Sequence, residues 1–173
     1  MKKILIVAIA VVLITGLITT PVFAAGKNGA AGKSSMGHLY LFEKDPATWE
    51  IVDGGAWGKM KYSLSGTDFT YVFNGHGLEA GYDYTLIYYP DPWPGSGLIC
   101  LGFGTANDNG DVHIKQSVNT GDLPIPEDEN EGAKIWLVLS SDVDCEGQVF
   151  NNVWNPTEYL FEYDLITFND TDD

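Results

Sequence analysis

Three acidic residues in the C-terminal half of the chain, Asp142, Asp144 and Glu146, alternate with other residues. In an extended segment such residues share one face, so that their carboxylate oxygens can approach one ion together. Hard oxygen ligands of this kind suit Ca²⁺. The spacing predicts a structural calcium site, and the simpler interpretation is a solvated acidic loop. No cofactor is expected to be required, and Ca²⁺ is the candidate structural ion.

Two further clusters are rich in oxygen ligands. Asn107, Asn109 and Asp111 also alternate, but their loop departs from the EF-hand pattern and has no glutamate at the twelfth position. The other cluster follows two prolines and contains Glu127, Asp128, Glu129 and Glu131. Both patterns are typical of solvated turns.

Aromatic residues form the best candidate recognition surface. Tyr88, Tyr89 and Trp93 are interspersed with prolines at positions 90, 92 and 94. Rigid aromatic side chains can stack on sugar rings or anchor a protein partner at a small cost in entropy. These three residues are the candidate contacts for a polysaccharide or a cell-surface protein, and the alternative is that they pack in the core.

Catalytic signatures are weak throughout the sequence. The three histidines are far apart, no G-x-S-x-G motif is present, and no H-x-H or H-E-x-x-H pair indicates zinc. A glycosidase needs only two carboxylates at a suitable separation, which one sequence does not exclude. We therefore assign no catalytic residue and keep a carboxylate-dependent carbohydrate hydrolase as an alternative.

The chain carries 24 acidic and 9 basic residues, a net charge of −15, and it contains no arginine. Nucleic-acid binding requires many cations, and recognition of phosphate or carboxylate usually recruits arginine. The composition therefore argues against a nucleic-acid partner. It is compatible with an acidic, soluble protein that works outside the cell.

The N-terminus has the features of an export signal. Lys2 and Lys3 precede a long uncharged apolar run, and Val22 and Ala24 satisfy the small-residue rule for cleavage. We expect residues 1–24 to be a cleaved signal peptide and residues 25–35 to be a flexible tether. The alternative is an uncleaved anchor, which would be the only contact with a membrane. Either way the protein is predicted to be secreted or associated with the cell envelope.

The two cysteines, Cys100 and Cys145, both lie in the exported part of the chain. An isolated pair in an oxidising compartment predicts one disulfide. The alternative is a buried pair of free thiols.

Short runs rich in β-branched and aromatic residues recur along residues 36–173, and helix signals do not. The expected strands cover residues 38–42, 60–64, 69–73, 82–89, 98–103, 112–114, 135–139 and 159–168. Asn109-Gly110 predicts a hairpin with a type I′ turn. About eight strands indicate one antiparallel β-sandwich, Ig-like or jelly-roll in topology, which ends in a short acidic tail.

A resemblance supports the same fold class. The segment from Gly77 to Leu86, followed by Gly104-Thr105-Ala106 and the stretch from Asn109 to Val112, resembles a pattern of exported Ig-like β-sandwich modules. The runs from Tyr88 to Pro94 and from Trp154 to Tyr159 are similar to uncharacterised secreted proteins of methanogenic archaea and environmental prokaryotes. The resemblance implies a fold and an extracellular location, and it implies no activity.

These observations favour a non-catalytic, extracellular or envelope-associated binding or structural module. A self-associating surface or filament subunit is a further alternative, in which the tether pairs with a neighbour's sheet edge.

Overall fold

The computed structural model describes residues 35–92 and 97–172, which form an antiparallel all-β fold as the sequence predicts. The predicted leader, nearly all of the tether, and Trp93 lie outside the described residues. The strands are β1 (Met36–Phe42), β2 (Trp57–Ser63), β3 (Ser65–Gly66), β4 (Phe69–His76), β5 (Asp83–Tyr89), β6 (Ile99–Thr105), β7 (Val112–Val118), β8 (Lys134–Leu139), β9 (Val143–Asp144), β10 (Val149–Phe150), β11 (Phe161–Glu162) and β12 (Asn169–Asp170). Among the described residues, no helix is long and apolar enough to cross a membrane.

Two sheets form the sandwich. The larger has the strand order β11-β1-β2-β4-β7, and the smaller has the order β6-β5-β8. Two-residue pairs, β10-β9 and the parallel β12-β3, complete the fold. Buried side chains of both sheets make one continuous hydrophobic core.

Residue alternation explains the larger sheet. On β2, Met60 and Tyr62 are buried while Lys59 and Lys61 are exposed. The same period of two holds on β1 and β4, because one face of this sheet covers the core and the other faces water. Leu64, the last residue of the strand predicted over residues 60–64, follows β2 and is exposed.

β5 differs because it is the central strand of the smaller sheet. All of its residues except the first are buried, and it pairs with β6 on one side and β8 on the other. Both faces of β5 are therefore covered, which accounts for its nearly continuous apolar sequence.

The strand predicted over residues 159–168 is broken. Leu160 pairs with Leu137 on β8, whereas the next residue, Phe161, pairs with Phe42 on β1. Isolated bridges at Ile166 and Phe168 follow. The chain passes here from one sheet to the other, so a single apolar run serves two sheets.

The predicted Asn109-Gly110 hairpin is wrong. β6 and β7 belong to different sheets, and the turn between them closes a corner of the sandwich. Only Gly110 of the pair has a positive φ, 75°, whereas a type I′ turn needs two. Gly102 of β6 lies so close to β7 that an added Cβ would be 3.0 Å from Ile114 Cγ2.

The predicted disulfide is confirmed. Cys100 and Cys145 are bonded, with their Cα atoms 5.6 Å apart. The bond joins β6 to the turn between β9 and β10.

Candidate functional site

The described residues enclose an open cleft of about 540 Å³ beside the smaller sheet. It is lined by Trp49, Tyr89, Asp91, Lys134, Trp136 and Trp154. Three of these six residues are tryptophans and one is a tyrosine, so the cleft offers aromatic surface with one charged pair. Such a concave, mostly apolar lining with few polar groups is typical of a ligand site.

Two stacked rings form the floor of the cleft. The rings of Tyr89 and Trp136 are nearly parallel, 7° between planes, with centroids 4.6 Å apart. They come from the adjacent strands β5 and β8, where Tyr89 lies opposite Lys134 and Ile87 lies opposite Trp136. Because both rings are almost completely buried, the regular strand pairing holds the floor rigidly.

Trp49 and Trp154 stand at the sides of the cleft and are much more exposed, 51% and 40%. Their rings share one buried neighbour, Phe161, at centroid distances of 5.1 Å and 6.2 Å. Trp136 also contacts Phe161, at 5.2 Å. All three indoles therefore pack around one phenyl ring, which fixes their relative positions while leaving two of them open to solvent.

Trp49 is held in an unusual backbone conformation. Its φ is 60°, in the left-handed region that costs a non-glycine residue about 1–3 kcal/mol. The surrounding loop is tied by Asp45, whose Oδ1 accepts hydrogen bonds from the N–H groups of Ala47 and Thr48 at 2.8 and 2.9 Å. Trp49 N–H also donates to the Asp45 carbonyl at 2.8 Å. A tight loop thus presents a large apolar ring at a strained position, which is typical of a binding residue.

The Trp154 loop is anchored by a buried carboxylate. Asp142 Oδ2 accepts hydrogen bonds from the Tyr159 hydroxyl at 2.5 Å and from Asn155 Nδ2 at 2.8 Å. The ring of Phe150 on β10 packs between Trp154 and the floor, 6.2 Å from Trp154 and 6.0 Å from Tyr89. Phe150 before Trp154 and Asn155 after it are therefore fixed to the core.

The polar end of the cleft is an ion pair supported by a loop. Lys134 Nζ donates to Asp91 Oδ1 at 2.5 Å and lies over the rings of Tyr89 and Trp136, at 4.8 and 5.7 Å. Asn130 Nδ2 bridges Asp91 and Asp128, at 2.9 and 2.8 Å. The charges of Lys134 and Asp91 compensate each other in place, so the cleft presents polar groups without a strong net charge.

The hydrogen bond and charge of Lys134 lower the pKa of Asp91, against the opposing effect of burial. Burial also acts to raise the pKa of Asp128, but hydrogen bonds from the Tyr88 hydroxyl and from backbone N–H groups outweigh it, so this pKa is lowered too. Both carboxylates therefore stay ionised at neutral pH.

The lowered pKa values predict acid sensitivity. A carboxylate whose folded-state pKa is depressed contributes stability above its unfolded value, about 3.8, and loses it as the pH falls through the folded value. We expect the melting temperature to fall as the pH drops below about 4. In Asp91→Asn, the melting temperature should fall less steeply over this pH range. Asp53→Asn, which removes an exposed carboxylate outside the cleft, is the control, and an equal effect of both changes would contradict the assignment.

The three predicted ligand contacts lie in different places. Tyr88 is fully buried, and its hydroxyl donates to Asp128 Oδ2 at 2.6 Å, so it belongs to the core and not to a recognition surface. The reason is that Tyr88 lies on β5, the strand covered on both faces. Tyr89 lines the cleft as part of its floor. Trp93 lies outside the described residues, and its role stays a prediction.

The residues predicted to bind calcium do not share a face. The segment is extended only at Val143–Asp144: Asp142 ends a 3-10 turn and is buried, whereas Asp144 and Glu146 are exposed. Asp144 Oδ1 accepts hydrogen bonds from the N–H groups of Glu146 and Gly147 and so closes its own turn. Among the described residues, no group of three His, Cys, Asp or Glu side chains could hold a metal ion. Calcium binding stays a prediction.

Trp136 and Lys134 are site residues that the sequence did not indicate. Both lie on β8, within a run that predicts only a buried strand. Trp49 and Trp154 carry no sequence signal of a shared site, since they lie more than 100 residues apart in the chain. No sequence motif joins these four residues, because their site arises from three separate parts of the chain.

No protein-family model, no curated protein and no solved structure matches the chain. The function is therefore argued from the site.

Proposed function

We propose that the protein is a non-catalytic binding module, exported from the cell, whose aromatic cleft holds a neutral polysaccharide. The observation that carries this proposal is the pair of half-exposed indoles, Trp49 and Trp154, at the sides of a rigid aromatic floor. The apolar face of a pyranose ring can stack on an indole at little entropic cost, because the indole is already fixed.

The charges of the cleft support a neutral ligand. Lys134 is already paired with Asp91, so it does not offer a free cation to an acidic sugar. The remaining donors and acceptors of this pair and of Asn130 can exchange hydrogen bonds with sugar hydroxyl groups. The strongly negative net charge of the chain also disfavours an anionic ligand at this site.

A carbohydrate hydrolase is the second candidate. Among the described residues that line the cleft, Asp91 is the only carboxylate, and a two-carboxylate mechanism needs a second one across the scissile bond. A smaller depression of about 180 Å³ has three carboxylates in its lining, from Glu43, Glu79 and Glu158. One of these carboxylates already has a structural partner, since Glu43 Oε2 accepts a hydrogen bond from the Ala56 N–H at 2.9 Å. The aromatic cleft therefore carries the proposal.

Replacement of the exposed indoles should weaken polysaccharide binding. We expect Trp154→Ala and Trp49→Asn each to lower affinity by roughly 10- to 100-fold, because each removes one stacking surface worth about 1–3 kcal/mol. Asparagine is chosen at position 49 because it tolerates a positive φ. Native affinity gels containing soluble β-glucan, xylan or mannan measure the effect.

Trp57→Ala is the matched control, because Trp57 is also 40% exposed but lies on the larger sheet, away from the cleft. Its affinity for the neutral glycans should equal that of the wild type. Retained binding by Trp154→Ala and Trp49→Asn with normal melting curves would refute the cleft proposal. Release of reducing ends would favour the hydrolase, and concentration-dependent assembly without glycan binding would favour a self-associating subunit.

A further inference from the structure

The outer face of the larger sheet differs in charge from the rest of the molecule. β1, β2, β4 and β7 contain no aspartate or glutamate, although the chain has 24 acidic residues. We call their outward surface the lysine face; it carries Lys59, Lys61, Lys115, His38, His76 and His113. The overall charge of −15 therefore conceals one face on which cations dominate.

Strand pairing brings these residues together in rows. His38 lies opposite Lys61, and Lys61 lies opposite Val72, which in turn lies opposite Lys115. In the next row Lys59 lies between Tyr40 and Asn74. Residues two apart on a strand are about 7 Å apart, and next-nearest strands are about 9.6 Å apart. The three ammonium groups thus form a broad, flat triangle.

These lysines keep their charge available. Within the described residues, none of the three lies within ion-pair distance of a carboxylate. Lys59 Nζ sits over the Tyr40 ring, 5.3 Å from its centroid, and this contact does not involve a carboxylate. Two acids border this face: Asp111 is paired with His76 Nδ1 at 2.6 Å, and Asp68 Oδ2 accepts a hydrogen bond from Ser117 Oγ at 3.3 Å.

Aromatic rings flank the cations on this face. Tyr40 and Trp57 are each 40% exposed, and the Trp57 ring packs on the His76 ring at 4.8 Å. The face therefore combines separated positive charges with flat apolar surfaces. A polymer whose sugar rings carry carboxylates presents the complementary alternation of apolar ring faces and negative charges.

The arrangement does not suit a protein partner. Protein interfaces concentrate apolar residues at the centre and are depleted in lysine there. Here Lys59 and Lys61 occupy β2, the middle strand of the sheet, and Tyr40 on β1 lies directly opposite Lys59, so that ammonium groups and not an apolar cluster occupy the centre. A second copy of this chain would have to bury these central ammonium groups, which is costly.

We propose that the lysine face is a second binding site, for an acidic polysaccharide that carries carboxylates. It is separate from the aromatic cleft and does not depend on a ligand there. A protein with both sites connects a neutral glycan and an acidic glycan in the same extracellular layer.

Polygalacturonate is the probe, and its fully methyl-esterified form is the neutral control. The exported protein should bind polygalacturonate with an affinity that falls as salt is added, and it should bind the methyl ester at least roughly tenfold more weakly. Replacement of Lys59, Lys61 and Lys115 together by Gln should lower the affinity for polygalacturonate by at least roughly tenfold and remove most of its salt dependence. These exposed changes should leave the melting curve unaltered.

Matched variants separate the two sites. Lys61→Gln should weaken binding, whereas Lys44→Gln, which removes one charge from a lysine bonded to the Glu162 carbonyl, should not. Trp57→Ala should weaken binding and Trp154→Ala should not, the reverse of their effects on neutral glycans. Undetectable binding of polygalacturonate, equal binding of the methyl ester, or normal binding by the triple variant would overturn the proposal. Polyglutamate or a single-stranded oligonucleotide that binds as tightly, with the same loss in Trp57→Ala, would also overturn it, because the face would then not select a polysaccharide.

Discussion

Removal of the Cys100–Cys145 disulfide should lower the free energy of unfolding by about 4 kcal/mol. The two residues are 45 positions apart, and opening a loop of this length restores conformational freedom to the unfolded chain. For a domain of this size the melting temperature should fall by roughly 10–15 °C. The double variant Cys100→Ala/Cys145→Ala, compared with the wild type in denaturant unfolding, measures the difference without leaving a free thiol.

The disulfide should also affect the cleft. Cys145 precedes β10, whose Phe150 packs against Tyr89 and Trp154. The double variant should therefore bind neutral glycans more weakly even at temperatures where it is fully folded. Reduction of the wild type should reproduce both effects. If the free energy of unfolding falls by less than about 1 kcal/mol, the β9–β10 hairpin is held by packing alone.

Asp142→Ala should destabilise the fold by about 3 kcal/mol, because it leaves the Tyr159 hydroxyl buried without its acceptor. Asp142 is itself buried and accepts hydrogen bonds from Tyr159, Asn155 and Ser141. Burial and the hydrogen bond to Asp142 both raise the pKa of Tyr159, so this hydroxyl stays protonated and able to donate. Thermal and denaturant unfolding at neutral pH measure the loss.

A double-mutant cycle with Tyr159→Phe tests this explanation. If the hydrogen bond carries the effect, the loss in the double variant should be smaller than the sum of the two single losses. Additive losses would instead indicate that each side chain matters through packing. A further variant, Asp142→Asn, tests calcium binding. A rise in melting temperature with calcium that disappears in this variant would show that Asp142 binds the ion in addition to accepting the hydrogen bond from Tyr159.

The strands could be predicted because their cause is local. Burial of one sheet face imposes a period of two, and Met60, Tyr62 and Phe73 follow it in the sequence as they do in the fold. Sheet membership has no such local cause. Asn109-Gly110 would suit a hairpin equally well, and a corner forms instead because β6 and β7 pair with strands of different sheets.

The cleft could not be predicted for the same reason. Trp49, Trp136 and Trp154 meet only because Phe161 lies where the chain crosses between the sheets. The proline-rich sequence predicts that Tyr88 contacts a ligand, yet Tyr88 lies on a central strand and is buried. The alternation of Asp142 and Asp144 does not put them on one face, because Asp142 ends a 3-10 turn and only Asp144 lies on the strand that follows.

The aromatic cluster gives the molecule its own optical signal. Trp136 lies 4.6 Å from Tyr89 and 5.9 Å from Trp154, close enough for the excited states of the rings to interact. Trp154 is also half in water, so a molecule that covers it changes the polarity around an emitting indole. Occupancy of the cleft can therefore be followed without a label, by intrinsic fluorescence and near-ultraviolet circular dichroism. The signal of this cluster should change as ligand is added, whereas the signal of tryptophans away from the cleft should stay constant.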